Sequence, residues 1–173
     1  MRRREVLLGL GLVVLAGCNR GDTAAGAPRP REVTDASVAK FCGMSLTEMG
    51  GPKGQIFVRG LPDPYWFGSV RNAFAFLFLP EMPKAISAFY VSDMARAKDW
   101  DQPEPGTWVD AHKASYVIGS RRRSGMGTEE AIPFGDAAAA RRFADANGGR
   151  VVSFDEMPRD YVLTADTGNQ SCM

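Results

Sequence analysis

One order of elements runs twice along this chain, and the repetition limits the folds open to it more than any single motif does. Residues 55–58, "QIFV", have the β-branched and aromatic content of a strand. "LPDPYWFG" carries two prolines and a glycine and forces a turn. Ser69 then caps a helix over 70–79, where Val70, Ala73, Phe74, Leu77 and Phe78 recur at helical spacing. Pro80 and Pro83 end it, and "AISAFYVS" (85–92) follows as a strand. Further on, "WVDA" (108–111) and "ASYVIGS" (114–120) read as strands and "RRRSGMGTEEAIP" as a loop. Asp136 caps a helix over 137–146, Gly148 and Gly149 end it, and "RVVSF" (150–154) closes the series. If a short strand near "AKFC" opens the first half, both halves run strand, strand, helix, strand. Units of roughly 60 residues bury too little surface to stand alone easily, so the halves must pack together. The expectation is an α+β fold of two pseudo-repeated ββαβ halves, residues 35–100 and 101–166, with a cleft or shared surface between them.

The first residues concern the compartment. "MRRR" is a basic start, "VLLGLGLVVLAG" an apolar run too short to span a bilayer comfortably, and Gly17 precedes Cys18, so residues 1–17 read as a signal peptide. "LAGC" has the form of a bacterial lipobox, a resemblance that implies cleavage before Cys18 and diacylation of its sulfur. Each buried CH₂ then contributes about 0.8 kcal/mol to membrane partitioning. An ordinary secretory signal and an uncleaved anchor are the rival readings. Arg3 and Arg4 before "EVLL" match a twin-arginine signal too loosely to settle the export route. Asn19 favours outward sorting, hence the outer membrane, where the rules of enteric envelopes apply. Residues 18–34, rich in Gly, Ala and Pro, read as a flexible tether and 167–173 as a flexible tail. Without residues 1–17 the chain keeps 18 basic and 19 acidic side chains. Near-neutrality gives no footprint for nucleic acid, and Arg121–Arg123 read as a solvated loop.

The chemistry concentrates in "KFCGMSLTEMGGPKG" (40–54), where Cys42 and Met44 stand in a loop rich in glycine and small polar residues. Thiolate and thioether sulfur select Cu(I) and are avoided by hard, oxygen-seeking ions. An extended strand would point both sulfurs to one face, and a turn would fold them around one ion. Met126 in "SGMGT" is the candidate third ligand, since a glycine-flanked loop is an odd place for a core side chain; Met49 in "TEMGG" ranks after it. Deprotonating a thiol at neutral pH costs about 2 kcal/mol, small beside the roughly 10–16 kcal/mol that metal binding to thiolates returns. The bland alternative is packing, because methionine is the usual gap-filler of apolar cores; it is the preferred reading for Met82, Met94 and Met157. His112, the single histidine, reads more readily as a satisfied polar neighbour than as a ligand. A disulfide between Cys42 and Cys172 competes with the metal site, since an oxidising compartment permits it. No G-x-S-x-G, C-x-x-C, H-E-x-x-H or phosphate-cradling loop occurs, so an enzyme is not expected.

With "LAGC", "FCGM", "GGPKGQIF", "WVDAHKASYVIGS", the "GMG" turn and "IPFGDAAAARRFADANGGRVVSF" together, the chain resembles the NosL family, lipoprotein accessory factors of nitrous oxide reductase. The resemblance implies two ββαβ halves and a periplasmic, membrane-anchored Cu(I) chaperone. It also implies Cys42, Met44 and Met126 as ligands, with Met49 and His112 weaker candidates. The implied partners are nitrous oxide reductase as copper acceptor and a membrane-associated copper-delivery and maturation complex. The "CM" terminus is not expected of the family. Organomercury lyases are similar in fold, but such an enzyme needs paired cysteines and a second thiol is missing from the fold. A metal-free envelope adaptor is the other alternative.

Overall fold

A computed structural model describes residues 26–164; the signal segment, Cys18, Cys172 and the tail lie outside the described residues. The first unit comprises β1 (Gly54–Val58), β2 (Tyr65–Phe67), α1 (Val70–Phe78) and β3 (Ile86–Ser92). After β4 (Trp108–Asp110) comes the second unit, β5 (Ser115–Ile118), β6 (Ile132–Phe134), α2 (Ala137–Asn147) and β7 (Arg150–Ser153), and then a short α3 (Arg159–Leu163). Two antiparallel sheets result, ordered β2-β1-β3-β4 and β6-β5-β7. In each unit the first strand is central, with its hairpin partner on one side and the strand that follows the helix on the other. The fold is α+β with two ββαβ units, and among the described residues no helix is long and apolar enough to cross a membrane.

Four local readings of the sequence need correction. No strand forms near "AKFC"; isolated bridges join Val38 to Ser45 and Ala39 to Trp66 around a tight turn. The second strand of the first unit is instead Tyr65–Phe67, inside the stretch read as a turn, and its counterpart Ile132–Phe134 lies at the end of the stretch read as a loop. Three-residue strands are too short to show a period, and Pro133 is tolerated because β6 is an edge strand. "WVDA" does not join the second sheet: β4 pairs with β3, Tyr90 opposite Asp110 and Ser92 opposite Trp108, so a boundary at residue 100 cuts across the first sheet. Finally, the part of the expected tether that is described packs on the fold. The side chain of buried Gln55 accepts from the Arg31 N–H at 2.8 Å and donates to the Arg31 carbonyl at 2.9 Å, and the Tyr90 hydroxyl donates to the Pro28 carbonyl at 2.8 Å. Low apolar content did not leave this segment free, because a buried amide side chain pairs with its backbone as another strand would.

The helices occupy different environments. α1 buries Val70, Arg71, Ala73, Phe74, Ala75 and Phe76, and it lies in the main core shared by both units. The Phe74 ring meets Phe89 of β3 at 5.7 Å and Tyr116 of β5 at 5.0 Å, while Phe76 meets Phe67 at 5.5 Å. Burying one such phenylalanine contributes about 1.5–3 kcal/mol. α2 covers the other face of the second sheet. Val117, Ile132, Phe134 and Ala140 form that smaller cluster, with Phe143 packed against it. β5 therefore alternates, Tyr116 and Ile118 toward α1 and Val117 toward α2, as period-two side-chain placement requires.

Candidate metal site

Cys42, Gly43 and Met44 form a turn that depends on a left-handed residue. Gly43 has φ +68°, and its N–H donates to the Ala39 carbonyl at 2.8 Å while the Ala39 N–H donates to the Met44 carbonyl at 2.9 Å. A side chain at position 43 would strain that backbone. The turn is fixed to the first unit by the Lys40 N–H donating to the Trp66 carbonyl at 2.8 Å and by Phe41 edge-on to Phe67 at 5.8 Å. Cys42 is half-buried, and Met44 is 37% exposed.

Met126 sits on a turn of the second unit that is tied, not loose. The Ser124 hydroxyl oxygen accepts from the N–H groups of Met126 and Thr128, both at 3.3 Å, and the Gly127 N–H donates to the Ser124 carbonyl at 2.9 Å. The glycine before Met126 serves close approach. The Gly125 N–H donates to the Gly50 carbonyl at 3.2 Å, and a Cβ on Gly125 would collide with that carbonyl. Gly51, at φ +86°, faces the Gly125 backbone from the other side of the contact. Two glycine-rich loops from different units are thus pressed together backbone to backbone.

The first of those loops is clipped in turn. Lys53, 3% exposed, donates its ammonium to the carbonyls of Gly51 at 3.0 Å and Asp101 at 3.3 Å. The Gly51 N–H also donates to the Asp101 carbonyl at 3.2 Å. Burial lowers the Lys53 pKa to about 8, opposed by the charges of Asp101, Glu130 and Asp99. Glu130, four residues after Met126, anchors the base of the same long loop at the start of α1. Its Oε1 accepts from the Arg71 N–H at 2.8 Å, the Ala131 N–H at 2.9 Å and the Ser69 hydroxyl at 3.2 Å, favourable for a carboxyl group at a helix N-terminus. Its Oε2 has no hydrogen-bond partner among the described residues. Burial raises the Glu130 pKa to about 7.

The outcome for the sulfur residues is specific. Cys42 and Met126 both pack against one small cluster of Ala39, Leu46 and Met49, with Trp66 beside them. Met44 leaves the same turn as Cys42 toward solvent. Met49 is 3% exposed and lies against Gly68, so it supports the cluster from within. His112 is elsewhere: its Nδ1 is 3.2 Å from Asp110 Oδ1 and its ring lies 4.1 Å from that of Phe154, in a cavity with Phe89 and Tyr90 that none of the sulfur residues lines. Met157 is buried in the main core, Met82 packs against it, and Met94 packs against the second cluster. Cys42 makes no disulfide among the described residues. Nor do three or more of His, Cys, Asp and Glu converge among them, so a zinc or calcium donor set is not assembled there. Residue chemistry alone did not point to the Gly50–Gly125 contact, Lys53 or Glu130. The available signal was two pairs of glycines next to a methionine, "MGG" with the pair after it and "GMG" with the pair around it.

The fold and this site define a class: a small duplicated ββαβ scaffold that brings a thiol and a thioether from its two units onto one cluster, a second thioether exposed beside them. The NosL family model matches residues 30–162, and the chain belongs to the NosL family. It is 40% identical over 171 residues to the copper-binding lipoprotein NosL of Achromobacter cycloclastes, covering 98% of this chain and 88% of that one. It is 33% identical over 161 residues to the copper-binding lipoprotein NosL of Stutzerimonas stutzeri, covering 92% and 80%. A crystal structure of the copper chaperone NosL from Shewanella denitrificans superimposes with a TM-score of 0.71 at 30% identity, over 76% of this chain and 96% of that one.

Proposed function

We propose that this protein is a lipid-anchored periplasmic carrier of Cu(I), held through acylated Cys18, that loads copper into nitrous oxide reductase. The observation that carries the reading is the approach of Cys42 and Met126, from separate units, to one apolar cluster, with Met44 exposed beside it. Copper is the cargo of this site, not a resident cofactor. One thiolate and two thioethers form a donor set that favours Cu(I) and leaves Cu(II) and the hard divalent ions poorly served. The names of the relatives, copper-binding lipoproteins and a copper chaperone, support the same cargo.

Release follows from the same arrangement. The exposed Met44 thioether is the ligand that an acceptor can displace first, while half-buried Cys42 holds the ion until transfer is under way. The copper donor is a membrane-associated maturation complex, and the outer membrane is the favoured anchor site. Carriage needs no bond rearrangement in a substrate, so the protein is a carrier and not an enzyme. Affinity falls in acid, because protons compete for the thiolate.

Anaerobic titration against a chromophoric Cu(I) competitor tests this. The full chain should take one Cu(I), Met126→Ala should weaken binding about tenfold or more, equivalent to ~1.4 kcal/mol, and Cys42→Ser should weaken it further. Unchanged competition in Cys42→Ser overturns the assignment, and no competition by any variant marks a metal-free adaptor.

A further inference from the structure

The end of the first sheet opposite the sulfur turns has an unused surface. β1 starts at Gly54, next to the Lys53 clip, and ends at Val58, where the chain enters the short loop 59–64. Roughly 15 Å of strand therefore separates the two ends. At the loop's tip Leu61 is 43% exposed, one of few large apolar side chains in the described residues that face solvent. Arg59 and Arg29 are exposed beside it and have no acidic partner among the described residues. The Arg59 N–H donates to the Ala85 carbonyl at 2.8 Å, which brings in Lys84, whose ammonium donates to the Leu77 and Leu79 carbonyls at the end of α1. Asp63 is occupied by Arg31, and Glu81 is the remaining acid in these loops.

The chain also arrives at this end. Gly26, Arg29, Arg59, Leu61 and Pro62 line one open groove, and Gly26 is the first described residue. Only eight residue steps separate it from Cys18, a reach of at most about 29 Å. A body held that closely presents the end where its tether enters to whatever holds the tether. We propose that this end is a membrane-seating surface: Leu61 enters the headgroup region of an anionic bilayer while Arg29 and Arg59 meet lipid phosphates. An apolar side chain flanked by arginines suits that boundary, the cations drawn to anionic lipid and the leucine partitioning below them. The seat points the Cys42 and Met126 turns away from the bilayer, toward a soluble acceptor. The inference rests on acylation of Cys18.

The test places the mature acylated chain on nanodiscs that contain phosphatidylglycerol and a gadolinium-chelating headgroup lipid, and reads amide NMR signals at both ends. The expected result is loss of the Gly60 and Leu61 signals with those of Gly43, Gly125 and Gly127 retained. The contrast should vanish in discs where phosphatidylcholine replaces the phosphatidylglycerol and the gadolinium lipid is kept, and in the double variant Arg29→Glu, Arg59→Glu. Equal broadening at the two ends on discs that retain the protein, or stronger broadening at Gly43, overturns the seating surface alone. A chain that leaves the discs during size exclusion overturns the anchor reading, and the seating surface with it.

Discussion

The two ββαβ units enter their helices by the same step, Phe67-Gly68-Ser69 in the first and Phe134-Gly135-Asp136 in the second, and differ in what is built around it. α1 has six buried residues and α2 has one, Ala140. The hairpin loop is short in the first unit, residues 59–64, and long in the second, residues 119–131. One copy thus supplies the packing centre and the other the reach. The long loop crosses to the first unit, seats Gly125 on Gly50 and delivers Met126 to the cluster against which Cys42 also packs. A duplicated scaffold can divide labour in this way because either unit is too small to supply both a core and an extended loop.

Truncating the two helices' central rings is the strongest challenge to that division. Phe74→Ala should cost about 4 kcal/mol in urea unfolding, the expected figure for a fully buried ring, and Phe143→Ala about half as much because its site is partly open. Equal losses would break the comparison.

The next effect is a pH dependence confined to the junction of the units. Glu130 titrates at about 7 in the native state and in the ordinary carboxylate range when unfolded. The native state therefore keeps a proton that the unfolded chain has lost, and the stability this supplies is full below about pH 4 and disappears as pH rises through about 7. Measured as a difference, Glu130→Gln should gain about 3 kcal/mol on wild type between pH 4 and 8. Lys53 has the opposite history. Its native pKa of about 8 lies below its unfolded value, so burying it destabilises below about pH 8 and the penalty lifts as pH climbs toward 10. Lys53→Met should abolish that rise.

The paired glycines sharpen the contrast at smaller scale. A Cβ on Gly135 would strike the Asp93 carboxylate, which the Gly135 and Ala95 N–H groups hold at 2.8 and 3.0 Å. One on Gly68 would strike the far end of the Met49 thioether, which can turn aside. Gly135→Ala should therefore lower stability by about 2 kcal/mol and Gly68→Ala by about 1. The smallest expected loss, about 1 kcal/mol by thermal unfolding, is for Asp136→Ala, whose carboxylate caps α2 by accepting from Ala138 at 3.0 Å and Ala139 at 3.2 Å.

The sequence made the helices and the sulfur residues legible for different reasons. α1 and α2 carry periodicity long enough to read and a capping residue that marks where each begins. Cys42, Met44 and Met126 are conspicuous because soft sulfur is rare in glycine-rich loops. β2 and β6 were hidden by their brevity and by neighbouring prolines, yet laying the two Phe-Gly-cap steps over each other places Tyr65–Phe67 on Ile132–Phe134 and recovers both. The allegiance of β4 could not be read, since three residues fit either sheet and only register decides. Glycine beside Met126 marked a loop ill suited to a core side chain. Its actual use, the approach of one backbone to another, depends on a partner loop far away in sequence.

The central claim is that a side chain from each unit binds the same ion. Copper K-edge X-ray absorption of the Cu(I)-loaded protein and of Met126→Ala tests it most directly. Three sulfur scatterers should surround copper in the wild type, and one fewer in the variant. An unchanged shell in Met126→Ala, or a nitrogen ligand of the kind His112 would supply, would contradict it.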